Sequence, residues 1–372
     1  MKYYLIAGER SGDLHGANLM REIKLRDPEA SFRFYGGDQM AEQGGELVLH
    51  YKEFSFMGIW EVFANLRKIS QYLKECKQDI IDHQPDVVIL IDFAGFNMRI
   101  ARHVKSLDSS IKTFYYISPK IWAWNVKRAL KIKAYIDRMF VILPFEKEFY
   151  RRFDYEVDYV GNPLLDAVAR FTPQRNFREK HDMDDRPVIA VLPGSRVQEI
   201  ENMLHLMMTI VSSFKDYQFV IAGVSNLSRD YYEQFLRAEN IKVVYDETYD
   251  VLHHADYAIV TSGTATLETA LFKVPQVVCY KTSFITATFG RMVLKVKYIS
   301  LVNLIAGKGV VRELIQGDFN SYKIREELLN LSQNEEYKQK MLDEYAVLAA
   351  RMGDPGASEE AARLMVQYLK EG

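Results

Sequence analysis

The feature of this sequence that most constrains its fold is a regular alternation of short apolar runs with longer amphipathic segments. The apolar runs are rich in β-branched and aromatic residues, and the segments between them show the apolar spacing of helices. This order predicts right-handed βαβ crossovers and therefore parallel sheets covered by helices. The strands predicted for the first half are Tyr3–Ala7, Ser31–Tyr35, Val87–Ile91, Lys112–Ile117 and Met139–Leu143.

The same alternation starts again after Phe171. The polar segment 172–186 is expected to connect the two series, and a charged helical tail is expected over residues 319–370. The strands predicted for the second half are Pro187–Leu192, Gln218–Ala222, Lys242–Tyr245, Tyr257–Val260 and Gln276–Cys279. We therefore expect two Rossmann-like, doubly wound α/β domains, residues 1–170 and 171–345, that face a cleft. Ligands bind such sheets at the carboxyl ends of the strands.

The composition argues against several classes of protein. The net charge is −2 over 372 residues, which is too balanced for a general nucleic-acid binder. Charges interrupt every apolar run before the ~18 residues of a membrane-spanning helix, and the first residues lack the pattern of a signal peptide. Cys76 and Cys279 lie far apart and suit a reducing cytosol. No spacing typical of a metal site is found, so we expect no metal ion and no cofactor.

The first loop that could carry chemistry follows the first predicted strand. Residues 8–13 open a helix, whose free backbone N–H groups attract anions. The carboxylates of Glu9 and Asp13 would lie where a dinucleotide places its pyrophosphate, which argues against a dinucleotide site. The substrate-binding candidates here are Glu9, Ser11, Gly12 and Asp13. The alternative is an ordinary turn in which Ser11 or Asp13 caps the helix.

A second loop, residues 92–97, follows the most apolar strand. A carboxylate at that strand end is expected to be partly desolvated, which suits Asp92 to act as a general base. Asn97 is a substrate-binding candidate from the same loop. The alternative is that Asp92 only caps the helix or the turn.

The second half contains two loops suited to phosphate. Gly194 and Ser195 allow close backbone approach, and the guanidinium of Arg196 can form a bidentate contact. Another loop opens the helix after Tyr257–Val260, where Glu268 could accept both hydroxyls of a ribose. The candidates there are Ser262, Gly263, Thr264, Ala265, Thr266 and Glu268. Two such loops suit a nucleoside diphosphate; the alternatives are an ordinary strand–helix turn and a helix cap.

Two segments combine basic residues with large apolar ones. Residues 120–133 hold two tryptophans and five basic residues, and residues 281–312 hold six basic residues and no acidic one. Such a mixture is typical of contact with a membrane surface. The apolar stretch Phe54–Phe63 could line a lipid groove. The alternative for all three is that the apolar side chains belong to the core.

Seven fragments of the sequence, taken in chain order, resemble the lipid-A-disaccharide synthase family. Each is weak alone, and together they are highly specific and span most of the chain. They are Gly8–Ala17, Met57–Val62, Ile117–Trp124, Leu143–Lys147, Leu192–Arg196, Ser262–Glu268 and Ser300–Gly307. The resemblance implies an inverting glycosyltransferase of GT-B type, in which the carboxyl-terminal helices, residues 346–372, rejoin the first domain.

The resemblance also implies a reaction. A hexosyltransferase of this family would move 2,3-diacylglucosamine from UDP to 2,3-diacylglucosamine 1-phosphate, giving the β-1,6-linked lipid A disaccharide 1-phosphate and UDP. It would be cytoplasmic and peripheral on the inner membrane of a Gram-negative bacterium. Its partners would be the two lipid substrates and the membrane surface, with no nucleic acid. The sequence leaves open whether the chain forms a homodimer.

The roles of individual residues follow from the resemblance by position. Asp92 would deprotonate the 6-hydroxyl of the acceptor, Arg196 would stabilise the leaving diphosphate, and Glu268 would hold the ribose. Asn303 would lie close to the donor as a third catalytic candidate, and Trp122 is a further substrate-binding candidate.

This chain departs from the family pattern at two positions. Gly95 stands where many members have a second aspartate, so Asp92 would act without it. Asn162 stands where the family often has a histidine, so a general-base histidine there is not needed, or the position only forms hydrogen bonds.

Two other kinds of function remain open on the sequence. One is another GT-B enzyme, such as a UDP-N-acetylglucosamine 2-epimerase or the peptidoglycan glycosyltransferase. The other is a non-catalytic protein that binds nucleotide sugars or acts as a membrane scaffold. An epimerase would act on a UDP-sugar without a lipid acceptor, and a scaffold would release no UDP.

Overall fold

The computed structural model describes residues 1–54, 65–107, 110–225, 227–236, 238–281 and 297–371, apart from the side chains of Trp124 and Gln198. The chain divides into two compact units. The first unit comprises residues 1–166 and 354–372, and the second comprises residues 167–353. No helix in the described ranges is long and apolar enough to cross a membrane.

The first unit is built on a parallel sheet with the strand order β3-β2-β1-β4-β5-β6-β7. The strands are β1 (Lys2–Ala7), β2 (Ser31–Gly36), β3 (Glu46–His50), β4 (Val87–Ile91), β5 (Lys112–Tyr116), β6 (Arg138–Val141) and β7 (Asp158–Tyr159). The order reverses between β1 and β4, which pair from Tyr3–Val87 to Ala7–Ile91. This reversal is the switch point at which doubly wound sheets bind ligands.

The helices of the first unit cover both faces of its sheet, with α9 crossing into the second unit. They are α1 (Arg10–Arg26), α2 (Asp38–Glu42), α3 (Tyr51–Phe54), α4 (Leu66–His83), α5 (Ala94–Leu107), α6 (Ile121–Trp124), α7 (Arg128–Tyr135), α8 (Pro144–Arg151) and α9 (Pro163–Arg170). The amphipathic pattern of the sequence predicts a long helix near residues 58–83. It is observed from Leu66 onwards, and residues 55–64 lie outside the described ranges.

The second unit is built on a parallel sheet with the order β10-β9-β8-β11-β12-β13, which reverses between β8 and β11. Its strands are β8 (Val188–Leu192), β9 (Gln218–Gly223), β10 (Ile241–Tyr245), β11 (Tyr257–Thr261), β12 (Gln276–Tyr280) and β13 (Arg312–Ile315). Its helices are α10 (Phe177–Lys180), α11 (Val197–Met208), α12 (Arg229–Glu233), α13 (Thr248–His253), α14 (Thr264–Leu271), α15 (Leu301–Ala306), α16 (Ser321–Gln333) and α17 (Glu335–Met352).

The polar segment 172–186 packs as part of the second unit, so the expectation that it connects two domains is wrong. Phe177 is fully buried and joins a core cluster with Val188 and Leu252. Gln174 donates through its side chain to Glu247 at 2.7 Å and to Asp250 at 3.1 Å. One buried ring and a few side-chain hydrogen bonds are enough to fix a segment whose composition is otherwise that of a linker.

The last helix, α18 (Ala357–Glu371), returns to the first unit. Its residues Ala361, Ala362, Met365 and Val366 are buried in the same core cluster as β1 and β4. Ala361 and Ala362 let the backbone approach closely, and Met365 fills the remaining space. The first unit is therefore completed by a segment distant in sequence.

We expect Met365→Ala to destabilise the first unit by about 2–5 kcal/mol, because alanine removes most of a fully buried side chain and leaves a cavity. Amide hydrogen exchange in β1 and β4 measures this change within the first unit. The exposed Lys370, on the same helix, provides a control, and Lys370→Ala should change stability by less than about 0.5 kcal/mol. Equal protection of β1 and β4 in wild type and Met365→Ala would show that α18 does not support this core.

Candidate active site

The loops that follow β1 and β4 contact each other at the switch point of the first unit. A Cβ atom on Gly8 would lie 2.3 Å from the ring of Phe93, so this position accepts no side chain while the ring stays in place. The two predicted loops, residues 8–13 and 92–97, are therefore brought together by the pairing of β1 with β4.

Asp92 lies in an unusual backbone conformation. Asp92 and Phe93 both have left-handed φ angles, 44° and 47°. Such angles cost roughly 1–2 kcal/mol per non-glycine residue, and they concentrate at functional sites. The Asp92 N–H donates to the carbonyl of Tyr116 at 3.1 Å, and its carbonyl accepts from the Asn97 side chain at 2.7 Å. The Tyr115 hydroxyl also donates to that carbonyl.

These hydrogen bonds use the backbone of Asp92, and the residue itself is exposed. The expected partial desolvation of this carboxylate is therefore wrong for the structure. Asn97 is fully buried, and its amide nitrogen also donates to the carbonyl of Ile91 at 3.2 Å. Asn97 thus holds the Asp92 turn in place.

Asp13 has a structural role. Its buried carboxylate accepts from the backbone N–H groups of Gly37 at 2.8 Å, Gln39 at 3.1 Å and Met40 at 3.1 Å. Because these groups belong to the start of α2, Asp13 caps that helix from outside it. Asp13 is therefore committed to α2, and we leave it out of the set of ligand contacts.

The remaining candidates of this loop surround the start of α1. Glu9 is the half-buried N-cap residue, and Ser11 is exposed in the first turn. Gly12 is buried against Ala7, whose Cβ lies 3.2 Å from where a Cβ on Gly12 would be. Glu9 and Ser11 are thus accessible beside the strand end that adjoins Asp92.

The loops after β5 and β6 are joined by a buried carboxylate that the sequence did not single out. Glu146 is 1% exposed and accepts from Trp122 Nε1 at 3.1 Å and from the Leu143 N–H at 3.0 Å. Burial raises the pKa of Glu146 to about 7. Ile117, at the start of the Trp122 loop, has a left-handed φ of 68°, which is strained for a β-branched residue. Trp122 is 8% exposed, so its ring is mostly covered.

In the second unit, the loop after β8 exposes the positively charged side chain of Arg196. Gly194 has a left-handed φ of 117°, and a Cβ there would lie 2.9 Å from Glu199. Ser195 and Arg196 are exposed, and Arg196 is the N-cap residue of α11. The Arg196 guanidinium forms an ion pair with the Glu199 carboxylate at 3.6 Å, and its side chain is 60% exposed, so an anion can still reach it.

The loop after β11 lies beside it, because Val260 pairs with Leu192. A Cβ on Gly263 would meet no atom of the described residues within 4 Å, and Thr264 is exposed at the start of α14. Ser262 is tied back, since its hydroxyl donates to the carbonyl of Ile299 at 2.9 Å. Thr266 is fully buried and donates to the Gly263 carbonyl at 2.8 Å, so its role is to fix the helix start; Ala265 is half-buried.

Glu268 lies one turn further along α14. Its carboxylate accepts from the Tyr249 hydroxyl at 3.1 Å, and burial raises its pKa. Tyr249 packs against Phe171 and Phe272, with ring centroids 5.7 and 5.1 Å away. A carboxylate with one aromatic wall and one phenolic donor can accept hydroxyl hydrogen bonds from a sugar in a sheltered environment.

Asn303 does not present its amide to a ligand. Its nitrogen donates to the carbonyl of Val311 and to Glu313, both at 2.9 Å. Its oxygen accepts from the N–H groups of Val310 at 2.7 Å and Val311 at 3.0 Å. All four hydrogen-bonding positions of a primary amide are filled. Asn303 therefore organises the segment around Ser300, and the structure gives it a positioning role.

Glu313 completes this network, and no pattern in the sequence pointed to it. Its carboxylate accepts from the N–H of Ile299 at 3.0 Å, from the N–H of Ser300 at 2.9 Å and from the Ser300 hydroxyl at 2.7 Å. The carbonyl of Ile299 in turn accepts a hydrogen bond from the Ser262 hydroxyl. The loop after β11 is thus anchored to β13.

Asn162, where the family often has a histidine, forms two hydrogen bonds within the chain. It donates to the carbonyl of Ile142 at 3.1 Å and accepts from the N–H of Leu164 at 3.0 Å. It is 2% exposed, so it caps the start of α9 and is covered.

The basic segments are only partly described. In residues 120–133, Leu130 is 56% exposed and Lys127, Arg128 and Lys131 are also exposed, so the start of α7 presents basic side chains together with an apolar one. Three segments singled out in the sequence lie wholly or mostly outside the described ranges: the family fragment Met57–Val62, the apolar stretch Phe54–Phe63, and residues 282–296 of the second basic segment. Within those ranges, no group of three or more His, Cys, Asp or Glu could hold a metal ion.

Comparison with known proteins identifies what the chain is similar to. A family model described as lipid-A-disaccharide synthetase matches residues 3–365. The chain is 36% identical over 375 residues to the lipid-A-disaccharide synthase of Myxococcus xanthus and 37% identical over 375 residues to that of Syntrophus aciditrophicus. Each match covers 99% of this chain and 97% of the relative.

Solved structures agree on the fold. A UDP-N-acetylglucosamine 2-epimerase from Neisseria meningitidis bound to UDP-GlcNAc matches with a TM-score of 0.67 at 14% identity, covering 100% of both chains. The glycosyltransferase of kitacinnamycin matches with a TM-score of 0.66 at 14% identity, covering 99% of both chains. The predicted fold class, α/β of GT-B type, is confirmed.

We expect Glu146 to make unfolding pH-dependent. The pKa of Glu146 is about 7 in the folded chain and 4.5 as a free side chain. Its contribution to the free energy of unfolding is therefore complete below pH 4.5 and is lost as the pH rises to about 7. The loss should reach ~3 kcal/mol at most. Glu146→Gln, neutral at every pH, should lack this slope in urea unfolding between about pH 5 and about pH 8. A stability difference between the two proteins that stays constant over this range would contradict the burial argument.

Proposed function

Since the chain belongs to the lipid-A-disaccharide synthetase family, we propose that it joins UDP-2,3-diacylglucosamine to 2,3-diacylglucosamine 1-phosphate. The products are the β-1,6-linked disaccharide 1-phosphate and UDP. The observation that carries the proposal is that each sheet has a loop pair of different chemistry at its switch point. The pair in the first unit contains an exposed carboxylate, and the pair in the second contains an exposed guanidinium.

The second unit would bind the donor. The backbone after β8 and the start of α14 offer N–H groups and the positive end of a helix dipole to a diphosphate. The positive charge of Arg196 can stabilise the negative charge that develops on the leaving UDP. Glu268, sheltered by Tyr249, would accept hydrogen bonds from the ribose hydroxyls.

The first unit would bind the acceptor, with Asp92 as the general base. Its carboxylate takes the proton of the acceptor 6-hydroxyl as that oxygen attacks the anomeric carbon. The bond from the anomeric carbon to the diphosphate breaks on the opposite side, and UDP leaves with the electron pair. In-line displacement inverts the configuration at this carbon, so the proposal requires Asp92 and the diphosphate on opposite sides of it.

The proposed reaction also requires access to lipid. Both substrates carry acyl chains and reside in a membrane, so the enzyme must work at the membrane surface. The basic side chains at the start of α7, together with the exposed Leu130, support peripheral binding to anionic lipid. We therefore expect the protein to act on the cytoplasmic face of the inner membrane.

Mass spectrometry of the products tests the proposed function directly. Purified protein incubated with both diacylated glucosamines should form the disaccharide 1-phosphate and an equal amount of UDP. An epimerase would convert the UDP-sugar without acceptor, and a binding protein would release no UDP. Either of these results would refute the proposed transfer.

We expect Asp92→Asn to lower the transfer rate by about 10² to 10⁴-fold, because that is the usual contribution of a general base. Asparagine tolerates left-handed φ angles as well as aspartate does, so the turn and the affinity for UDP should be retained. Asp154, also exposed and with a left-handed φ of 51°, gives a matched control, Asp154→Asn. A near-normal rate for Asp92→Asn in the purified-enzyme assay would remove Asp92 from the role of base.

A further inference from the structure

An apolar cavity of about 260 Å³ lies in the first unit next to the Asp92 turn. Its described walls include the rings of Phe54, Phe93 and Phe96 and the aliphatic side chains of Leu66 and Ile69. Phe93 directly follows Asp92 in the chain, so the cavity begins one residue from the proposed base. None of the roles proposed for the loop residues uses this space.

The aromatic walls are fixed by their own packing. The ring centroids of Phe54 and Phe93 are 5.7 Å apart, those of Phe54 and Phe96 are 5.4 Å apart, and those of Phe93 and Phe96 are 5.9 Å apart. Phe93 is further held by the strained turn and by its contact with Gly8. Three mutually packed rings make a wall that does not need a ligand to form.

Gly95 forms an open part of this wall. A Cβ at Gly95 would meet no atom of the described residues within 4 Å, and its φ is not in the left-handed region. The backbone would therefore tolerate a larger residue here. Because Gly95 is an exposed residue that lines the cavity, a large side chain at this position can reach into it.

The chemistry of the walls restricts the occupant. Polar groups such as a nucleotide or a sugar ring would lose their hydrogen bonds with water in this space, which is costly. The volume exceeds the ~150 Å³ that accommodates benzene in an apolar protein cavity, and it is below the ~300 Å³ at which pockets begin to enclose whole ligands. These limits fit part of a hydrocarbon chain whose polar end lies outside, where the exposed guanidinium of Arg99 stands at the rim.

We propose that this cavity holds the end of an acyl chain of the acceptor, and that Gly95 sets how much of the chain fits. The assignment to the acceptor rests on the proposed function, because the acceptor is the substrate whose hydroxyl meets Asp92. Burying the chain end beside the base anchors the sugar close to it. Each buried methylene group contributes roughly fourfold in binding, so a few of them set a measurable preference for chain length.

The test is to fill the cavity and vary one substrate at a time. With the donor fixed, kcat/KM is measured for acceptors of stepped acyl length in wild type, Gly95→Ala and Gly95→Leu. Gly95→Leu should lower kcat/KM for the longest productive acceptor by roughly tenfold or more and change it little for short-chain acceptors. Gly95→Ala should give an intermediate loss.

The control for inserting a leucine is Gly317→Leu. Among the described residues, a Cβ at Gly317 would also meet no atom within 4 Å. This residue lies in the second unit, so the variant should keep the wild-type length profile. An acceptor carrying a diazirine at the chain end gives a readout that does not need turnover. It should label residues 93–99 in wild type and lose this labelling in Gly95→Leu.

The outcomes separate this inference from the proposed function. If wild type makes no disaccharide from any pair of substrates, the proposed function fails. If wild type is active and Gly95→Leu keeps the wild-type length profile, or labelling occurs elsewhere, the acyl-chain site is overturned. A length dependence that follows the donor chain, with the acceptor fixed, overturns the assignment to the acceptor.

Discussion

The parallel pairing of β1 with β4, and of β8 with β11, is the constraint on which the rest of the structure depends. In each sheet the strand order reverses at this pair, so the two following loops leave the same edge side by side. Residues 8–13 and 92–97 are distant in sequence, yet a Cβ on Gly8 would collide with Phe93. Both sites follow from the order of the strands, and the chemistry of each then follows from a few side chains.

Behind the exposed groups lies a set of buried polar residues that hold the loops in place. Asn97 and Tyr115 hold the Asp92 turn, Glu146 joins two loops, and Asn303 with Glu313 anchors the segment around Ser300. Each buried polar group would be costly if it lacked partners, so each constrains the backbone strongly once its partners are met. The exposed groups are oriented through the backbone that these residues fix.

The sequence predicted the fold better than it predicted the roles of residues. The apolar runs located the central strands, because β4 and β8 are buried along their whole length. The strands β3, β7 and β13 were missed, since their residues are mostly half-buried or exposed and show no continuous apolar run. The segment 172–186 was misread because its one anchoring ring, Phe177, is surrounded by polar residues.

Residue types alone could not separate ligand contacts from structural partners. Asp13 and Asp92 both follow strands and are both carboxylates, but Asp13 faces three backbone N–H groups of α2 whereas Asp92 is exposed. The difference arises from β2, whose end places α2 over Asp13, and this is a long-range contact. Glu146 could have been noticed, because a glutamate three residues after Leu143 has the spacing of a capping box, but the bond from Trp122 depends on tertiary structure.

The glycine at position 95 has two physical consequences. A second carboxylate at this exposed position would add a negative charge three residues from Asp92. Glycine adds neither a charge nor a side chain to the cavity wall, at the cost of a weaker first turn in α5. The strained turn at Asp92 is therefore held by backbone hydrogen bonds and ring packing, without an acidic residue at position 95. Asp92, the proposed base, is thus oriented by the backbone, and the apolar space next to it is the site proposed for a hydrocarbon chain.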